Sequence, residues 1–383
     1  MVIFHNLPTS YRLQWFQHIL RDPDLDVRIF LTGRPRSNRP YWVDAPEFRD
    51  GRVTALRGLG FPLKGLDNDR YNINPGLLRV LDGRPDVVML FGYAEPTNLA
   101  VAMLCRLRGI PYILSAEVSD VWGQSLTGRI SMPLVKRVVR NAAGLAPAST
   151  TCARFFESLG GNRESMSIIP CVPDVEPLRR ARESLGLDAS IIKDRLNLKG
   201  MSIVLFVGRL HDYKGVREAI EALGIVRRSR PDVVMVIVGS GPLGSYVEEM
   251  SRQLAPNLMF LGTVDDATLR DLYLASDIHI MPSWHEAFGV VCAEALGYGV
   301  PSIVTRTSGC SDLVTDGENG YIINPGDAQE LAHAIIVSLS DPIALDRMKK
   351  LAFSKSEDFS MSIIMARLKR LIHEVAERSR VSR

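Results

Sequence analysis

The chain has 383 residues, 46% hydrophobic and 23% charged, with a formal net charge of +3. This length suits two domains, each able to bury a core, and the composition is that of an ordinary globular protein. The mild charge argues against a nucleic-acid partner, and no apolar run reaches the ~18 residues of a membrane span. Five dispersed cysteines without a Cys-x-x-Cys pair read as buried thiols in a reducing compartment.

The N-terminus is a short apolar run, residues 2–4, leading into a polar turn. It lacks the charged and long apolar segments of a secretory signal, so a cytoplasmic protein is expected. Further apolar runs follow at 27–31, 87–91, 112–114 and 144–146, with helical stretches at 12–21, 98–108 and from Gly128 to Asn141. Runs that are apolar on both faces suit central parallel strands covered by helices, and the alternation predicts a doubly wound α/β domain. No acidic residue lies between Asp120 and Glu157, whereas Arg129, Lys136, Arg137, Arg140 and Arg154 lie there among apolar residues. The stretch from Gly128 to Asn141 therefore has two readings. It is an amphipathic helix lying on an anionic membrane surface, or one that packs its apolar side on the sheet and solvates its basic side.

The alternation pauses over residues 171–199, a charged stretch with prolines that reads as the interdomain connection. It resumes with strands at 203–207, 233–238, 258–261, 278–281, 302–305 and 321–323, separated by helices at 216–228, 244–253, 266–275 and 289–297 and followed by one at 328–340. This is a second Rossmann-like domain, and 361–378 is a last basic amphipathic helix. The expected division is 1–175, 176–360 and a terminal helical segment, 361–383. Two such domains imply a cleft, where ligands bind beyond the C-terminal ends of the strands.

Two stretches of the second domain carry chemistry. Arg209 and Lys214 lie in the loop that closes its first strand, just after Gly208. Two cations there can neutralise a diphosphate, Arg by forking two oxygens and Lys as a point charge, although the same loop also reads as merely solvated and basic. Seven residues separate Glu286, in a turn, from Glu294, in the helix that opens near Gly289. The amides of Phe288, Gly289 and Val290 at that helix start suit a phosphate, with glycine permitting close approach. Glu294 can accept two hydroxyl hydrogen bonds, as a ribose diol offers, while Glu286 faces the sugar. Taken alone, the pair equally reads as two solvated acids.

Other patterns carry less. The run from Gly239 to Gly244 fits a dinucleotide fingerprint as text, with Asp265 and Asp266 downstream. It follows the second strand rather than the first, however, and Pro242 removes a donor, so NAD binding is not expected. No phosphate loop of the Gly-x-x-x-x-Gly-Lys type is present. The seven histidines show no metal-ligand spacing, with His211 and His285 merely adjacent to the proposed site. Asp24 with Asp26, and Asp67 with Asp69, read as solvated turns.

Taken together, Gly208-Arg209, Lys214-Gly215, the glycines from Gly239 to Pro242, Leu261-Gly262, Ser283 to Glu286, Glu294-Ala295 through Pro301, and Gly309 to Tyr321 carry a resemblance. The chain resembles the retaining GT-B glycosyltransferases of family four, the glycosyl transferases of group 1. The likeness is specific over 203–339 and weaker but compatible in the first half. It implies a GT-B fold, two Rossmann-like domains facing a cleft with the C-terminal helix crossing back to the first. The implied activity is transfer of a sugar, with retention of configuration, from a nucleotide-sugar donor to a lipid-linked or polysaccharide-precursor acceptor. No metal and no cofactor are implied, because cations and the helix N-terminus serve the leaving group. By resemblance Arg209 and Lys214 hold the diphosphate, Glu286 the donor sugar and Glu294 the ribose. Gly262 to Val264 hold the base through backbone groups, and the first domain takes the acceptor. Lipid-linked acceptors among relatives keep open a peripheral position on the inner face of the cell membrane.

The sequence departs from the family twice. Ala287 stands where relatives often carry glycine. The histidine many relatives carry in the first domain is missing, so either Glu117 or Asp120 takes its place or the role is absent. A sugar-nucleotide epimerase would use the same donor site. A catalytically silent nucleotide-sugar-binding protein is the other alternative, and intact Arg209, Lys214, Glu286 and Glu294 argue against it.

Overall fold

The computed structural model describes residues 1–6, 9–33, 51–62, 70–74, 76–93, 95–117, 126–185 and 189–381. They form two compact units, Met1–Pro173 with Met361–Arg383, and Asp174–Ser360.

The first unit holds β1 (Val2–His5), β2 (Arg28–Leu31), β3 (Val53–Ala55), an antiparallel pair β4 (Leu59–Pro62) and β5 (Arg70–Ile73), then β6 (Val88–Phe91), β7 (Tyr112–Ala116) and β8 (Gly144–Pro147). The six-stranded sheet runs β3-β2-β1-β6-β7-β8, all parallel, with Val2 opposite both Arg28 and Val88. Helix Leu126–Arg140 turns Val135, Val138 and Val139 into the core while Arg137 and Arg140 stay exposed. Its apolar side is therefore spent on the sheet. The last helix, Met361–Val381, belongs to this unit. It buries Ile364, Leu368, Leu371, Ile372 and Val375, and Lys369 pairs with Asp22 at 3.0 Å. Gly144 admits it closely, since a Cβ there would lie 2.8 Å from Val375.

The second unit holds β9 (Ser202–Val207), β10 (Val233–Val238), β11 (Leu258–Gly262), β12 (Ile278–Met281), β13 (Ser302–Thr305) and β14 (Gly320–Ile323). Its parallel order, β11-β10-β9-β12-β13-β14, repeats the first. Val204, Phe206, Val233, Met235 and Ile237 point into one core, and Ile203, Leu205, Val234, Val236 and Val238 into the other. This period-two alternation between two apolar layers is why the strands read as unbroken hydrophobic runs. In both sheets the order reverses between the first and fourth strands. The crevice left there, beyond the strand ends, is where ligands of such sheets bind. In the second unit it lies between β9 and β12, whose Phe206 and Ile280 are paired.

The stretch read as a charged connector contains two helices, Glu176–Leu185 and Ala189–Arg195. Their apolar anchors are few: Leu178 packs near Gly297, and Ile192 enters the core beneath Tyr273. The periodicity is correspondingly thin. Asp277 fastens the second of them. It accepts from Lys193 at 2.7 Å, Lys349 at 2.7 Å and the Ile203 amide at 2.9 Å.

Candidate active site

The loop after β9 leads through a 3₁₀ turn, Asp212–Lys214, into helix Val216–Ser229. Arg209 and Lys214 flank one ring, with the guanidinium 5.7 Å and the ammonium 5.5 Å from the Tyr213 centroid. The second glycine stretch shapes this loop. Gly239 has φ +141, and a Cβ there would collide with the Gly208 carbonyl oxygen. Leu210 in turn donates its amide to Ser240 O at 2.9 Å. The glycines of this Gly-x-Gly run thus let two loops touch, a use independent of any dinucleotide. Asp265 is likewise occupied, capping helix Asp266–Ala275 by accepting from the Thr268 amide at 2.7 Å.

The loop after β12 is tied to the first and to its other neighbour. The Trp284 amide donates to Tyr213 O at 2.9 Å. Glu286 forms a parallel bridge with Ser308, its carbonyl accepting from the Gly309 amide at 3.1 Å, and Phe288 O accepts from the Cys310 amide at 2.6 Å. The chain then turns at Gly289 (φ +97), where a Cβ would lie 2.7 Å from Met281 and 3.0 Å from Cys310 Sγ. Helix Val290–Gly297 starts there with Gly289, which has no side chain to cap it, at its N-cap. Phe288 is buried beneath.

These ties bring Lys214 and Glu286 together as an ion pair, each side chain 16% exposed. Glu294 stands further along the helix and accepts from the Tyr273 hydroxyl at 3.0 Å. Burial pushes its carboxyl up to about 7, against the Tyr273 hydrogen bond and helped by the Asp266 charge. Gly262 closes β11 with φ +63 and nothing within 4 Å of where a Cβ would stand, and Val264 beyond it is half-buried. Gly208, Arg209, Lys214, Gly262, Val264, Glu286, Phe288, Gly289, Val290 and Glu294 therefore all lie on or beyond the C-terminal ends of β9, β11 and β12. Tyr273 had no mark in the sequence, because its link to Glu294 is made across two helices. The arrangement can offer cations and helix-start amides to phosphates and a second carboxylate to hydroxyls. Among the described residues no group of three or more His, Cys, Asp or Glu is placed to hold a metal ion.

In the first unit, Glu117 follows β7 and is held by Arg12, which is 4% exposed. Arg12 also donates to Cys171 Sγ at 2.8 Å and stacks over Phe91 at 4.6 Å. His5, at the end of β1, has its basicity driven well down by burial and by the Arg12 charge. Asp120 lies outside the described residues.

Residues 188–355 match the family model described as glycosyl transferases group 1, and residues 10–171 match a glycosyl transferase 4-like domain. Glycogen synthase of Mycobacterium tuberculosis is 32% identical over 318 residues, covering 81% of this chain and 71% of that one. Phosphatidyl-myo-inositol mannosyltransferase of Mycobacterium leprae is 27% identical over 367 residues, covering 94% and 90%. The fold is shared with the crystal structure of Anabaena HepE in complex with UDP, at a TM-score of 0.76 and 20% identity, over 97% of this chain and 99% of that one.

Proposed function

The chain belongs to the glycosyl transferases of group 1, sugar-transferring enzymes of GT-B fold, and from that premise we propose that its second unit binds a nucleotide-sugar whose sugar is transferred with retention of configuration to a glycan or lipid-linked acceptor. The observation that carries this reading is the meeting of Arg209, Lys214, Glu286 and the uncapped start of helix Val290–Gly297 at the crevice between β9 and β12.

Departure of a nucleoside diphosphate places new negative charge on its outer phosphate. An ammonium has three donors, so Lys214 can keep one on Glu286 and offer the others to phosphate oxygens. Arg209 and the amides of the helix start complete a fixed positive environment, which stabilises charge as it develops without a metal ion. Glu286, held by Lys214 and by the Ser308 bridge, takes hydroxyls of the donor sugar. Glu294 takes the ribose diol, and the backbone from Gly262 to Val264 takes the base. The acceptor belongs to the first unit, where Glu117 is a candidate sugar contact already fixed by Arg12.

The Mycobacterium leprae relative is named for a phosphatidyl-inositol acceptor, which supports a lipid-linked acceptor here and hence a membrane-surface position. Because the apolar side of helix Leu126–Arg140 is packed inward, that contact is electrostatic, made by exposed basic groups such as Arg137 and Arg140. The test is a thermal-shift screen against UDP-, ADP- and GDP-sugars, followed by transfer assays in EDTA with the anomeric configuration read by NMR. Failure of every nucleotide-sugar to raise the melting temperature sinks the proposal, and an inverted product sinks its retaining part.

A further inference from the structure

Glu294 is gripped from a neighbouring helix. Tyr273 lies on the inner side of helix Asp266–Ala275, 1% exposed, and its hydroxyl donates to Oε2 of Glu294 at 3.0 Å. Its ring stacks on Tyr298 with centroids 5.2 Å apart and planes 18° apart, which fixes it against the C-terminal end of the helix carrying Glu294. A phenol in such a slot has one position for its oxygen. A carboxylate offers about four lone-pair sites, so the phenol occupies one and leaves room for two neighbouring hydroxyls.

We infer that Tyr273 is a positioning residue for nucleotide binding, holding the Glu294 carboxylate in the orientation that receives the ribose diol. This rests on the ribose assignment proposed above. The hydroxyl's other acceptor, Val291 O, is more distant at 3.4 Å, so Glu294 is the nearer partner. The groups facing Glu294 are Tyr273 and Asp266 from one helix and Tyr298 from its own, with Cys292 beside Tyr273 and Arg270 beside Tyr298. Burial raises the Glu294 carboxyl to about 7 and Asp266 adds to this, while the Tyr273 hydrogen bond opposes both. The ionised form is the better acceptor, so diol binding weakens as pH falls through that value. Removing the phenol hydroxyl moves the weakening to higher pH.

The experiment uses the full chain and calorimetric titration with UDP, ADP or GDP, whichever binds the wild type, and its 2′-deoxy counterpart, between pH 5.5 and 8.5. Tyr273→Phe is expected to weaken ribonucleotide binding by roughly tenfold at pH 7, as for loss of a hydrogen bond to a charged group, and to shift the acid limb upward. The 2′-deoxynucleotide should be affected much less. Glu294→Gln should abolish the limb. If the wild type binds none of the three nucleotides, the donor-site reading itself fails. Nucleotide binding that Glu294→Gln leaves unchanged defeats the ribose assignment alone. A Tyr273→Phe profile that superimposes on the wild type, with Glu294→Gln impaired, overturns this inference alone. Should Tyr273→Phe not fold, 3-fluorotyrosine at position 273 provides a stronger donor and must move the limb to lower pH. An unmoved limb overturns the inference equally.

Discussion

Glu294→Gln should make the second unit more stable while weakening its ligand binding. The side chain is half-buried, and its carboxyl is raised from the ordinary 4.5 to about 7, chiefly by burial. Between those values the folded chain holds a proton that the unfolded chain has lost. Stability therefore falls as pH rises through this window and stays lowered above it. At 1.36 kcal/mol per pH unit the gap corresponds to at most about 3 kcal/mol. Glutamine keeps the shape and can still accept from Tyr273, but it never ionises. The variant should match the wild type near pH 4 and exceed it at pH 8 by up to that amount. For a unit of this size that is up to about 6–12 °C in melting temperature. Thermal melts from pH 4 to 8.5, followed by circular dichroism, read the difference. Parallel wild-type and variant curves over the whole range would refute the reasoning, since they would mean that Glu294 ionises in the fold as freely as in water. The stability withheld by the carboxylate is then part of what a ligand site costs a fold.

Lys214→Ala and Arg209→Ala should each slow transfer by roughly 100- to 1000-fold, the usual loss for one preorganised charge, with Arg209→Lys a partial rescue. Steady-state rates with and without EDTA check both this and the metal-free proposal. Asp277→Ala strands Lys193 and Lys349 beside a hydrophobic layer and should destabilise the second unit by about 3–5 kcal/mol in urea titrations. Burial raises the Asp277 carboxyl, but the two lysines outweigh it and hold it below 3.8. Its contribution is thus complete above that value and is lost as pH falls through the lowered one, where wild type and Asp277→Asn should converge. Gly239→Ala forces apart the loops of Gly208 and Ser240 and should cut donor affinity, read by titration with the nucleotide identified in the screen. Vesicles rich in anionic lipid should carry the protein upward in flotation at low salt and release it at high salt, and reversing Arg137 and Arg140 to Glu should prevent this. Flotation that resists salt would contradict a purely electrostatic contact.

Much of the architecture was legible in the chain. Strands such as Val233–Val238 are apolar on every residue, because helices cover both faces of a parallel sheet, and helices such as Asp266–Ala275 and Ala328–Ser340 carry their own caps at Asp265 and Asp327. Glu286, Glu294, Arg209 and Lys214 stood out because a strand end followed by a loop and a helix is local, and its residues lie close in sequence. Short elements with sparse anchors, Val53–Ala55 and the two helices after Asp174, did not stand out, since three or four apolar residues set no clear period. What the tertiary structure alone decided are pairings over long separations. Lys214 meets Glu286 because β9 and β12 are neighbours although two strands and three helices lie between them in sequence order. Tyr273 reaches Glu294, Arg12 holds Glu117, and Asp277 gathers Lys193 and Lys349 for the same reason. The sequence determines which groups can be charged, apolar or capped. Which of them are withdrawn from water together, and hence where protons and phosphates are held, depends on strand order and packing.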